Sequence, residues 1–532
     1  MKKYLICFLC VLCTGVYPAI GGMAIPVLAA ETQTPKDESP KNNYNIVMIV
    51  LDACRADHLG CYGYDRPTSP NIDKLAAESI IFEQAYSQGI QTFVSFSSFH
   101  TGKYPITLNA YWDGRNQTPL FLPLQQEELT LAEILRTYNY STIAFPTGLH
   151  PAPCFGLSQG FQIYTNNPDF DFSRSERIDY EFVRTRERDG RPITFPIWSF
   201  QDTLPLALKY IKSAKSEPFF LLVHTNDTHP PYDNPAEFAH KFDPDYQGPV
   251  CKDVRFQIDT DKINGNKLIT KHPADAPDTT SPSPTKEITL SEKDLKHIIA
   301  HYDGGVAYAD NGVGKILQQL SDSKLMEKTI IILLADHGDG LGERGYFGRS
   351  SIERDTLSRL VNELCRVPLI IKHPGIKTSK RISQPVQLID LMPTILDFLS
   401  IKPPHTIDGI SLKELILNGK PLPKERMVIT ELRPDKLALR IDNWELIYAD
   451  GRVALFNLKD DPEEKNNLAN KPETKKIQEE LLKKLRGWQK EHIAKRGSWI
   501  KYPEPNTGKD KKPPVPSPAP LPPPPPGPDT PK

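Results

Sequence analysis

The sequence predicts an α/β fold in which helices cover both faces of a largely parallel sheet, followed by a small antiparallel sheet. Three continuous apolar, β-branched runs at residues 44–51, 218–224 and 328–335 are typical of central strands. Segments with helical periodicity lie between these runs. After about residue 425, short runs separated by Asp-Asn and Asp-Gly turns predict the antiparallel sheet.

The same patterns predict the other elements in chain order. Helices are expected over 71–82, 129–138, 203–213, 291–320, 388–399 and 473–491, with a break in the fourth at Gly304-Gly305. Short strands are expected over 141–145, 368–372, 427–430, 437–441, 444–448 and 453–457. We divide these elements into a domain at 44–425 and a C-terminal subdomain at 426–500. Residues 233–290, rich in Pro, Asp, Lys and Thr, are interpreted as a surface insertion.

Both ends of the chain differ in composition from its middle. Residues 1–30 have a basic start, an apolar core and a small-residue end, which predicts a signal peptide cleaved after residue 30 or 29. A membrane anchor is the alternative, but prolines and glycines interrupt the apolar run. Residues 31–43 read as a linker, and the Pro-rich residues 501–532 as an extended tail that is a spacer or a docking ligand. No later segment approaches the ~20 apolar residues of a membrane span. We expect an exported, soluble protein, periplasmic or extracellular.

Charge and cysteine content narrow the class of protein further. The 532 residues include 65 basic and 66 acidic side chains, a balance that gives no reason to expect nucleic acid or an anionic membrane as partner. The cysteines beyond the signal peptide form no CxxC pair, which argues against a thiolate zinc site, although one or two disulfides remain open. These cysteines are Cys54, Cys61, Cys154, Cys251 and Cys365.

Each central strand runs into side chains that can bind a metal or an anion. Asp52 follows the first strand, His224 ends the second, and Asp336-His337 follow the third. Ligand sites of open α/β sheets form at the carboxyl ends of strands, where carboxylates and imidazoles can hold a divalent cation. Helix capping is the alternative for either Asp taken alone.

Residues 91–105, QTFVSFSSFHTGKYP, place hydroxyl side chains at the start of a predicted helix. A helix beginning near Val94 would direct its free N–H groups and the positive end of its dipole toward Thr92. An anionic ester could lie there beside a hydroxyl nucleophile. Simple capping is the alternative.

Several long segments occur in the order found in one enzyme family. They are IVLDACRADHLGCYGYDRPTSPNIDKLAAESIIFEQAYS (49–87), THPPY (228–232), YDGGVAYADNGVGKILQQL (302–320), LLADHGDGLGERGYFGR (333–349), RVPLIIKHPG (366–375) and FNLKDDPEEKNNLA (456–469). Together they resemble a bacterial sulfatase of the alkaline phosphatase superfamily over residues 44–490. The resemblance implies a doubly wound sheet sandwiched by helices, a small C-terminal antiparallel sheet plus helix, and one divalent metal beside the nucleophile.

The resemblance also implies roles for individual residues. Asp52 and Asp336 match metal ligands, and His337 stands where many sulfatases have Asn and phosphatase-like relatives have His. Ala53 replaces a second ligating Asp of many sulfatases. Thr92, nine positions before the TG-x-YP turn, matches the nucleophile, which also contacts the metal.

The anion-binding candidates come from the same matches. His229 of THPPY matches the family's substrate histidine, and His224 is a second substrate-binding candidate. Arg349 stands where relatives place a Lys or His that contacts the anion, and a guanidinium suits a tetrahedral oxyanion. A surface arginine is the alternative for Arg349. Four other charged residues of these segments are interpreted as structural or as weaker candidates: Arg55, Arg344, Asp303 and Asp310.

The nucleophile position departs from the sulfatase pattern. Sulfatases read Cys-x-Pro-Ser-Arg, in which Cys, sometimes Ser, is oxidised to formylglycine, whereas residues 92–96 here read TFVSF. The methyl group on the Cβ of threonine makes oxidation to an aldehyde unavailable. Thr at this position resembles the phosphatase and lipid phosphotransferase branches, in which a metal-bound Thr alkoxide attacks phosphorus directly.

These features predict a metal-dependent hydrolase of a small-molecule, glycan or lipid ester of sulfate or phosphate. Thr92 would be the nucleophile, His229 or a neighbour would protonate the leaving alcohol, and Arg349 would offset charge on the oxyanion. A phosphoryl-group transferase of the same superfamily is one alternative. A catalytically inactive binding protein is the other. Calcium, manganese and zinc are the candidate metals, and the His337 imidazole favours the last two.

Overall fold

The computed structural model describes residues 42–113, 120–121, 123–148, 150–167, 177–179, 183–188, 191–196, 200–214, 217–230, 232, 234–248, 250, 263–264, 267–271, 285–349, 356–404 and 407–496. The predicted signal peptide, most of the linker, Cys251 and the Pro-rich tail lie outside these residues. Their assignments stay predictions, as do the boundaries at residues 425 and 500.

A nine-stranded mixed sheet forms the centre of the protein. Its strands are β1 (Asn45–Leu51), β2 (Ile80–Phe82), β3 (Ser141–Phe145), β4 (Ile163–Thr165), β5 (Arg177–Asp179), β6 (Phe219–Thr225), β7 (Thr329–Ala335), β8 (Leu369–Lys372) and β9 (Lys380–Ile382). Their spatial order is β9-β2-β8-β7-β1-β6-β3-β4-β5.

Strand β1 lies between β6 and β7 and is parallel to both. All residues of these three strands are buried, which explains their continuous apolar runs, because helices cover both faces of a parallel sheet. Leu51 pairs with Thr225 on one side and with Ala335 on the other. The register therefore brings the polar residues at the three strand ends to one edge of the sheet.

In the described part of the chain, seven longer helices accompany the sheet. They are α1 (Pro70–Ala76), α2 (Thr92–Thr101), α3 (Leu131–Thr137), α4 (Phe200–Ser213), α5 (Glu292–Asp322), α6 (Leu391–Phe398) and α7 (Lys475–Ala494). Capping boxes begin α3 at Thr130 and α5 at Ser291, where each hydroxyl accepts a hydrogen bond from the third helical residue.

Shorter elements complete the described chain. Four short α-helices are Pro105–Leu108, Ala236–Ala239, Asn362–Cys365 and Lys413–Asn418. The 3₁₀ helices are Ala56–His58, Gly60–Tyr62, Pro153–Phe155, Met326–Lys328, Thr356–Arg359, Leu388–Asp390 and Pro472–Thr474. Small sheets contain Ala85–Tyr86, Trp112–Asp113, Leu120–Phe121, Val183–Arg188, Arg191–Pro196, Ile263–Asn264, Lys267–Lys271, Thr285–Thr289, Arg366–Val367 and Val386–Gln387.

The predicted C-terminal sheet is present as four consecutive antiparallel strands. They are β10 (Val428–Arg433), β11 (Lys436–Ile441), β12 (Trp444–Ala449) and β13 (Arg452–Asn457). Helix α7 packs Leu481, Leu485 and Trp488 into the same apolar cluster as this sheet. Residues as far as Lys495 form one compact unit.

Two predicted helices differ from the structure. The helix predicted over 71–82 ends at Ala76, and Ile80–Phe82 instead forms β2. Strand β2 pairs with both β8 and β9, so tertiary pairing overrides the local helical periodicity. The second difference is α5, which runs unbroken for 31 residues through Gly304-Gly305.

These glycines allow close packing against α5. A Cβ on Gly304 would lie 2.4 Å from the carbonyl oxygen of Phe238, and one on Gly305 would lie 2.2 Å from that of Asp227. The backbone that carries Asp227 therefore packs directly on the helix. The predicted break is wrong because the missing side chains serve packing.

Gly305→Ala is expected to lower the midpoint of thermal unfolding, because the added methyl group meets a backbone carbonyl. Overpacking of this kind costs about 1–3 kcal/mol. The matched control is Gly487→Ala in α7, where no atom lies within 4 Å of the added Cβ. This control should raise the midpoint, because Ala is favoured over Gly in a helix by about 1 kcal/mol. Equal midpoints for wild type and Gly305→Ala would contradict the packing argument.

Two residues in the first part of the predicted surface insertion are buried. Tyr246 is 6% exposed and Val250 is 3% exposed, and both belong to the main apolar core. Much of the remainder lies outside the described residues. Among the described residues, no helix is long and apolar enough to cross a membrane. No disulfide joins the four cysteines of this part of the chain, Cys54, Cys61, Cys154 and Cys365.

Candidate active site

Five of the predicted site residues come together at the carboxyl edge of the sheet. Thr92 Oγ1 lies 3.3 Å from Asp52 Oδ2 and 3.5 Å from His337 Nε2. His337 Nε2 lies 3.4 Å from Asp52 Oδ1 and 3.4 Å from Asp336 Oδ2, and His224 Nε2 lies 3.5 Å from Asp52 Oδ2. All five side chains are buried.

Thr92 is the first residue of α2, and the extended Gln91 precedes it. The helix begins two residues earlier than the sequence predicted, so Thr92 belongs to its first turn. Every residue of α2 is buried, which holds the Thr92 hydroxyl firmly at the end of the helix dipole.

The site has the polar atoms that a divalent cation needs. Asp52 Oδ1, Asp336 Oδ2 and His224 Nε2 are buried without a hydrogen-bond partner. Ligand atoms of these three side chains lie within 4.8 Å of one another. Leaving buried acceptor atoms unpaired costs about 1–3 kcal/mol each, so a cation between the two carboxylate oxygens fits the site.

The two carboxylates have opposite pKa shifts. Burial opposes ionisation of Asp52, but the neighbouring His229 and His224 hold its pKa well below the usual range. Burial raises the pKa of Asp336, and the charge of Asp52 raises it further. The pair therefore carries one negative charge by itself, and a divalent cation would allow both groups to ionise.

Hydrogen bonds distinguish the roles of the two histidines. His337 Nδ1 donates to the carbonyl oxygen of Gly338 at 2.8 Å, so its Nε2 lone pair faces the carboxylates. In contrast, His224 Nδ1 accepts the backbone N–H of Thr147 at 3.3 Å, which puts the proton on Nε2. We infer that His337 suits a metal-ligand role and that His224 serves as a hydrogen-bond donor, despite its proximity to the carboxylates.

Ala53 contributes to the site through its backbone. Its φ of 59° is in the left-handed region, which is uncommon for alanine. Its N–H donates to Asp336 Oδ1 at 3.1 Å, and the N–H of His337 donates to the same oxygen at 3.0 Å. With Oδ1 bound in this way, Asp336 Oδ2 is directed toward the site.

Arg349 and His229, the predicted anion-binding residues, contact each other. Arg349 is 6% exposed, so the alternative of a surface arginine is wrong. Its Nη2 donates to His229 Nε2 at 2.8 Å, and its Nε is buried without a hydrogen-bond partner. His229 Nδ1 donates to the carbonyl oxygen of Pro230 at 2.5 Å. In this arrangement His229 Nε2 accepts a hydrogen bond, which suits positioning of Arg349 rather than proton donation.

Sequence reasoning missed His150 near this site. Burial, together with the positive charge of Arg349, lowers the pKa of His150 to about 4. His150 lies in the loop after β3, a neighbour of β6. A search for histidines in the loops that follow predicted strands could have found it.

Other charged residues of the matching segments form hydrogen bonds or ion pairs with side chains or backbone groups outside the candidate site. Asp303 accepts hydrogen bonds from His58 Nδ1 at 2.6 Å and from the Tyr64 hydroxyl at 2.7 Å. Asp310 accepts backbone N–H groups at the beginning of α1, at 2.8 and 2.9 Å. The two arginines interpreted as structural or weaker candidates pair with acidic neighbours: Arg55 with Asp57, and Arg344 with Glu464.

Comparison with known families agrees with this geometry. The Sulfatase family profile matches residues 44–401, more than half of the chain. The chain belongs to the sulfatase family. A second profile, N-sulphoglucosamine sulphohydrolase, C-terminal, matches residues 355–491 of this sulfatase-family protein.

Curated relatives of this sulfatase-family protein include named sulfatases. It is 26% identical over 475 residues to the ulvan-active sulfatase of Formosa agariphila, covering 86% of this chain and 83% of the relative. It is 26% identical over 487 residues to an arylsulfatase of Clostridium perfringens, covering 83% and 94%. The protein is therefore a sulfatase-like ester hydrolase of a metal-dependent family.

Solved structures confirm the predicted fold class. The phosphonate monoester hydrolase of Agrobacterium radiobacter matches with a TM-score of 0.61 and 18% identity, covering 84% of this chain and 96% of that chain. A protein crystallised with its substrate D-glucosamine-2-N,6-O-disulfate matches with a TM-score of 0.60 and 21% identity, covering 85% and 98%. At these identities the likeness concerns the fold.

Asp227 gives this sulfatase-family protein a pH-dependent contribution to stability. Asp227 is 3% exposed, and burial raises its pKa to about 7, although Thr225 Oγ1 donates to its Oδ2 at 2.5 Å. An Asp in the unfolded chain ionises near pH 4, so folded-state stability falls as pH rises from about 4 to 7 and is level above. The full penalty is at most about 4 kcal/mol.

Asp227→Asn is expected to match the wild-type midpoint of thermal unfolding at pH 4.5 and to exceed it at pH 8. The amide keeps an acceptor oxygen for Thr225 and cannot ionise. Midpoints measured by circular dichroism at both pH values test this. A difference between the two proteins that is the same at pH 4.5 and pH 8 would show that ionisation of Asp227 is not its source.

Proposed function

We propose that the protein hydrolyses a phosphate ester, or a sulfate ester, by direct attack of the unmodified Thr92 hydroxyl. The observation that carries this proposal is the placement of Thr92 Oγ1, 3.3 Å from Asp52 Oδ2 and 3.5 Å from His337 Nε2. A hydroxyl nucleophile thus lies among candidate metal ligands at the position where sulfatases carry the residue that becomes formylglycine.

Residues around Thr92 support chemistry without formylglycine. Sulfatases have Arg four positions after the nucleophile, and Phe96 stands there in this chain. The Phe96 ring packs edge-on against the His224 imidazole, with ring centroids 5.1 Å apart. An aromatic side chain thus fills the place of the maturation-motif arginine and orients His224 toward Asp52.

Asp52, Asp336 and His337, together with the Thr92 oxygen, would hold one divalent cation. Bound there, the cation would supply positive charge that stabilises an ionised hydroxyl and the developing oxyanion. Imidazole among carboxylate ligands favours manganese or zinc over calcium, because calcium prefers oxygen ligands.

The protein side chains account for the remaining steps. The Thr92 hydroxyl donates its hydrogen bond to Asp52, which aligns the oxygen for attack on phosphorus. The new bond from Oγ1 to phosphorus replaces the bond to the leaving alcohol, and the proton that Oγ1 gives up to Asp52 passes through solvent to the departing oxygen. Arg349, held by His229, and the Nε2–H of His224 face the non-bridging oxygens. Water then attacks the phosphothreonine, releases phosphate and restores the hydroxyl.

Sugars are the favoured substrate class. The relative from Formosa agariphila is named for activity on ulvan, and one structural neighbour was crystallised with a disulfated glucosamine. These names support a glycan or sugar ester as substrate. The composition of residues 1–30 supports export to the periplasm or the extracellular space.

A substrate panel tests the proposed reaction. Metal-replete protein would be assayed with matched 4-nitrophenyl phosphate, phosphate diester, phosphonate monoester and sulfate. We expect the protein to turn over at least one phosphorus ester. The rate at which phosphate or monoester is released should not change when an acceptor alcohol is added. Rates that rise with added acceptor alcohols, together with a phosphorylated alcohol product, would instead identify a transferase. Metal-replete protein that turns over no ester and no glycan-derived ester would favour a binding protein.

A further inference from the structure

Three histidines gather around the first half of α5, apart from the candidate active site. His297 and His301 lie four residues apart on one face of the helix, and their Nε2 atoms are 3.1 Å apart. The two side chains are 1% and 3% exposed. The ring of His240, which follows a short helix, lies edge-on to His301 with centroids 5.6 Å apart. His240 is partly exposed and so opens the cluster to solvent.

The His297 ring is held in one orientation. Its Nδ1 donates to Asp243 Oδ2 at 2.7 Å, so the Nε2 lone pair faces His301. The Tyr246 ring stacks on the imidazole, with centroids 3.6 Å apart and planes 11° apart. Metal-binding histidines commonly donate their second ring N–H to a carboxylate in this way, which fixes the tautomer needed for ligation.

The distance between the two nitrogen atoms fits a shared metal ion. Two imidazole ligands at about 2.0–2.1 Å from a tetrahedral zinc ion lie about 3.3–3.4 Å apart. The observed 3.1 Å needs only a small adjustment. Among the described residues, a group of three possible ligands whose ligand atoms all lie within 4.8 Å of one another occurs at the candidate active site and not at α5. The pair at α5 would supply two ligands, and His240 would have to rotate toward His301 to supply the third.

We propose that His297, His301 and His240 bind a zinc ion, separate from the active-site cation. The hydrogen bond between the two rings uses the same Nε2 atoms, so zinc replaces it and His301 then carries its ring proton on Nδ1. Asp243 orients His297 from outside the ligand set. Imidazole ligands favour zinc over calcium or magnesium, which prefer oxygen.

This site would connect residues 236–246 to the helix that supports the active site. Tyr302, next to His301, donates its hydroxyl to the carbonyl oxygen of Ala53 at 2.9 Å and accepts the N–H of Arg55 at 2.8 Å. These contacts hold the backbone immediately after Asp52. The role we assign to the zinc ion is therefore structural, and it is independent of the reaction proposed for Thr92.

Zinc content of matched variants tests the site. Wild type, His297→Gln, His301→Gln and the control His373→Gln would be dialysed against the same zinc buffer and measured by mass spectrometry of metals. His373 is 7% exposed and lies elsewhere, against Tyr44 and Phe398. We expect wild type and control to retain one zinc per chain more than either α5 variant. Equal zinc content in all four folded proteins would overturn the proposal.

His240→Ala provides a second test that leaves the buried pair intact. Because His240 is partly exposed, its replacement should preserve the fold, as judged by circular dichroism. Zinc titrated into chelator-treated protein should bind this variant at least tenfold more weakly at the second site. The zinc-induced rise in unfolding midpoint should be correspondingly smaller than in wild type. Unchanged zinc affinity would overturn the assignment of His240 as a ligand.

Discussion

Thr92→Ala is expected to lower kcat by about 1,000-fold or more, the loss typical of removing a covalent nucleophile. The substitution removes the oxygen that lies 3.3 Å from Asp52 and leaves the helix start otherwise intact. Thr92→Ser keeps the oxygen and should retain most of the activity. Rapid acid quench with ³²P-labelled substrate should place label on Thr92 in wild type and none in Thr92→Ala.

Ser97→Ala is the matched control for loss of a hydroxyl in the same helix. Ser97 is buried, and its hydroxyl donates to the carbonyl oxygen of Phe93 at 2.8 Å, away from the reacting groups. Its kcat should stay within about tenfold of wild type, because one neutral hydrogen bond contributes about 1 kcal/mol. Turnover by Thr92→Ala at the rate of Ser97→Ala would rule out Thr92 as the nucleophile.

Asp336→Asn is expected to reduce bound metal at the active site well below one per chain and to abolish turnover. The variant loses one of the two carboxylates facing His337 Nε2. Metal at 1,000 times its Kd stabilises the folded state by about 4 kcal/mol, so added metal should raise the wild-type unfolding midpoint much more than that of the variant.

Without metal, the order of stability should reverse. Burial and the charge of Asp52 raise the pKa of Asp336. At neutral pH the unfolded chain therefore ionises this carboxyl whereas the folded metal-free protein keeps it protonated, and this difference lowers stability. Chelator-treated Asp336→Asn should therefore unfold at a higher temperature than chelator-treated wild type. Asp227→Asn, which removes a buried carboxyl outside the ligand set, should keep its metal. Full metal occupancy in Asp336→Asn would refute the ligand assignment.

The central strands could be predicted because a parallel sheet buries both faces of each strand, which leaves a continuous apolar run in the sequence. The polar residues at the strand ends could be predicted because they directly follow these runs. Asp52 directly follows β1 and Asp336 directly follows β7. Because Leu51 pairs with Ala335, the two aspartates lie side by side at the sheet edge. Thr92 needed the family resemblance, because its helix start differs little from ordinary capping. The continuity of α5 depends on the backbone carbonyl oxygen of Asp227, which lies 78 positions earlier in the chain and approaches Gly305. No local pattern contains that contact.

Tautomers were likewise beyond the reach of sequence patterns. His224 and His337 both occur at strand ends, yet one accepts a backbone N–H at Nδ1 and the other donates there. His229 is similar, since its contact with Arg349 joins residues 120 positions apart. The sequence predicted which side chains gather at the site. Which ring nitrogen of each histidine carries the proton depends on backbone groups of loops that are distant in sequence.

Ala53 has a consequence for the net charge that the site can accept. With an alanine at this position, Asp52 and Asp336 together balance one divalent cation, and buried Arg349 adds a single positive charge. Neutral histidines leave this total unchanged. An ester with one negative charge, such as a phosphodiester, a phosphonate monoester or a sulfate ester, would make the occupied site neutral. A phosphate monoester dianion would leave one negative charge buried, which is costly in a low-dielectric interior. With alanine rather than aspartate at residue 53, we therefore expect the proposed reaction to favour monoanionic esters.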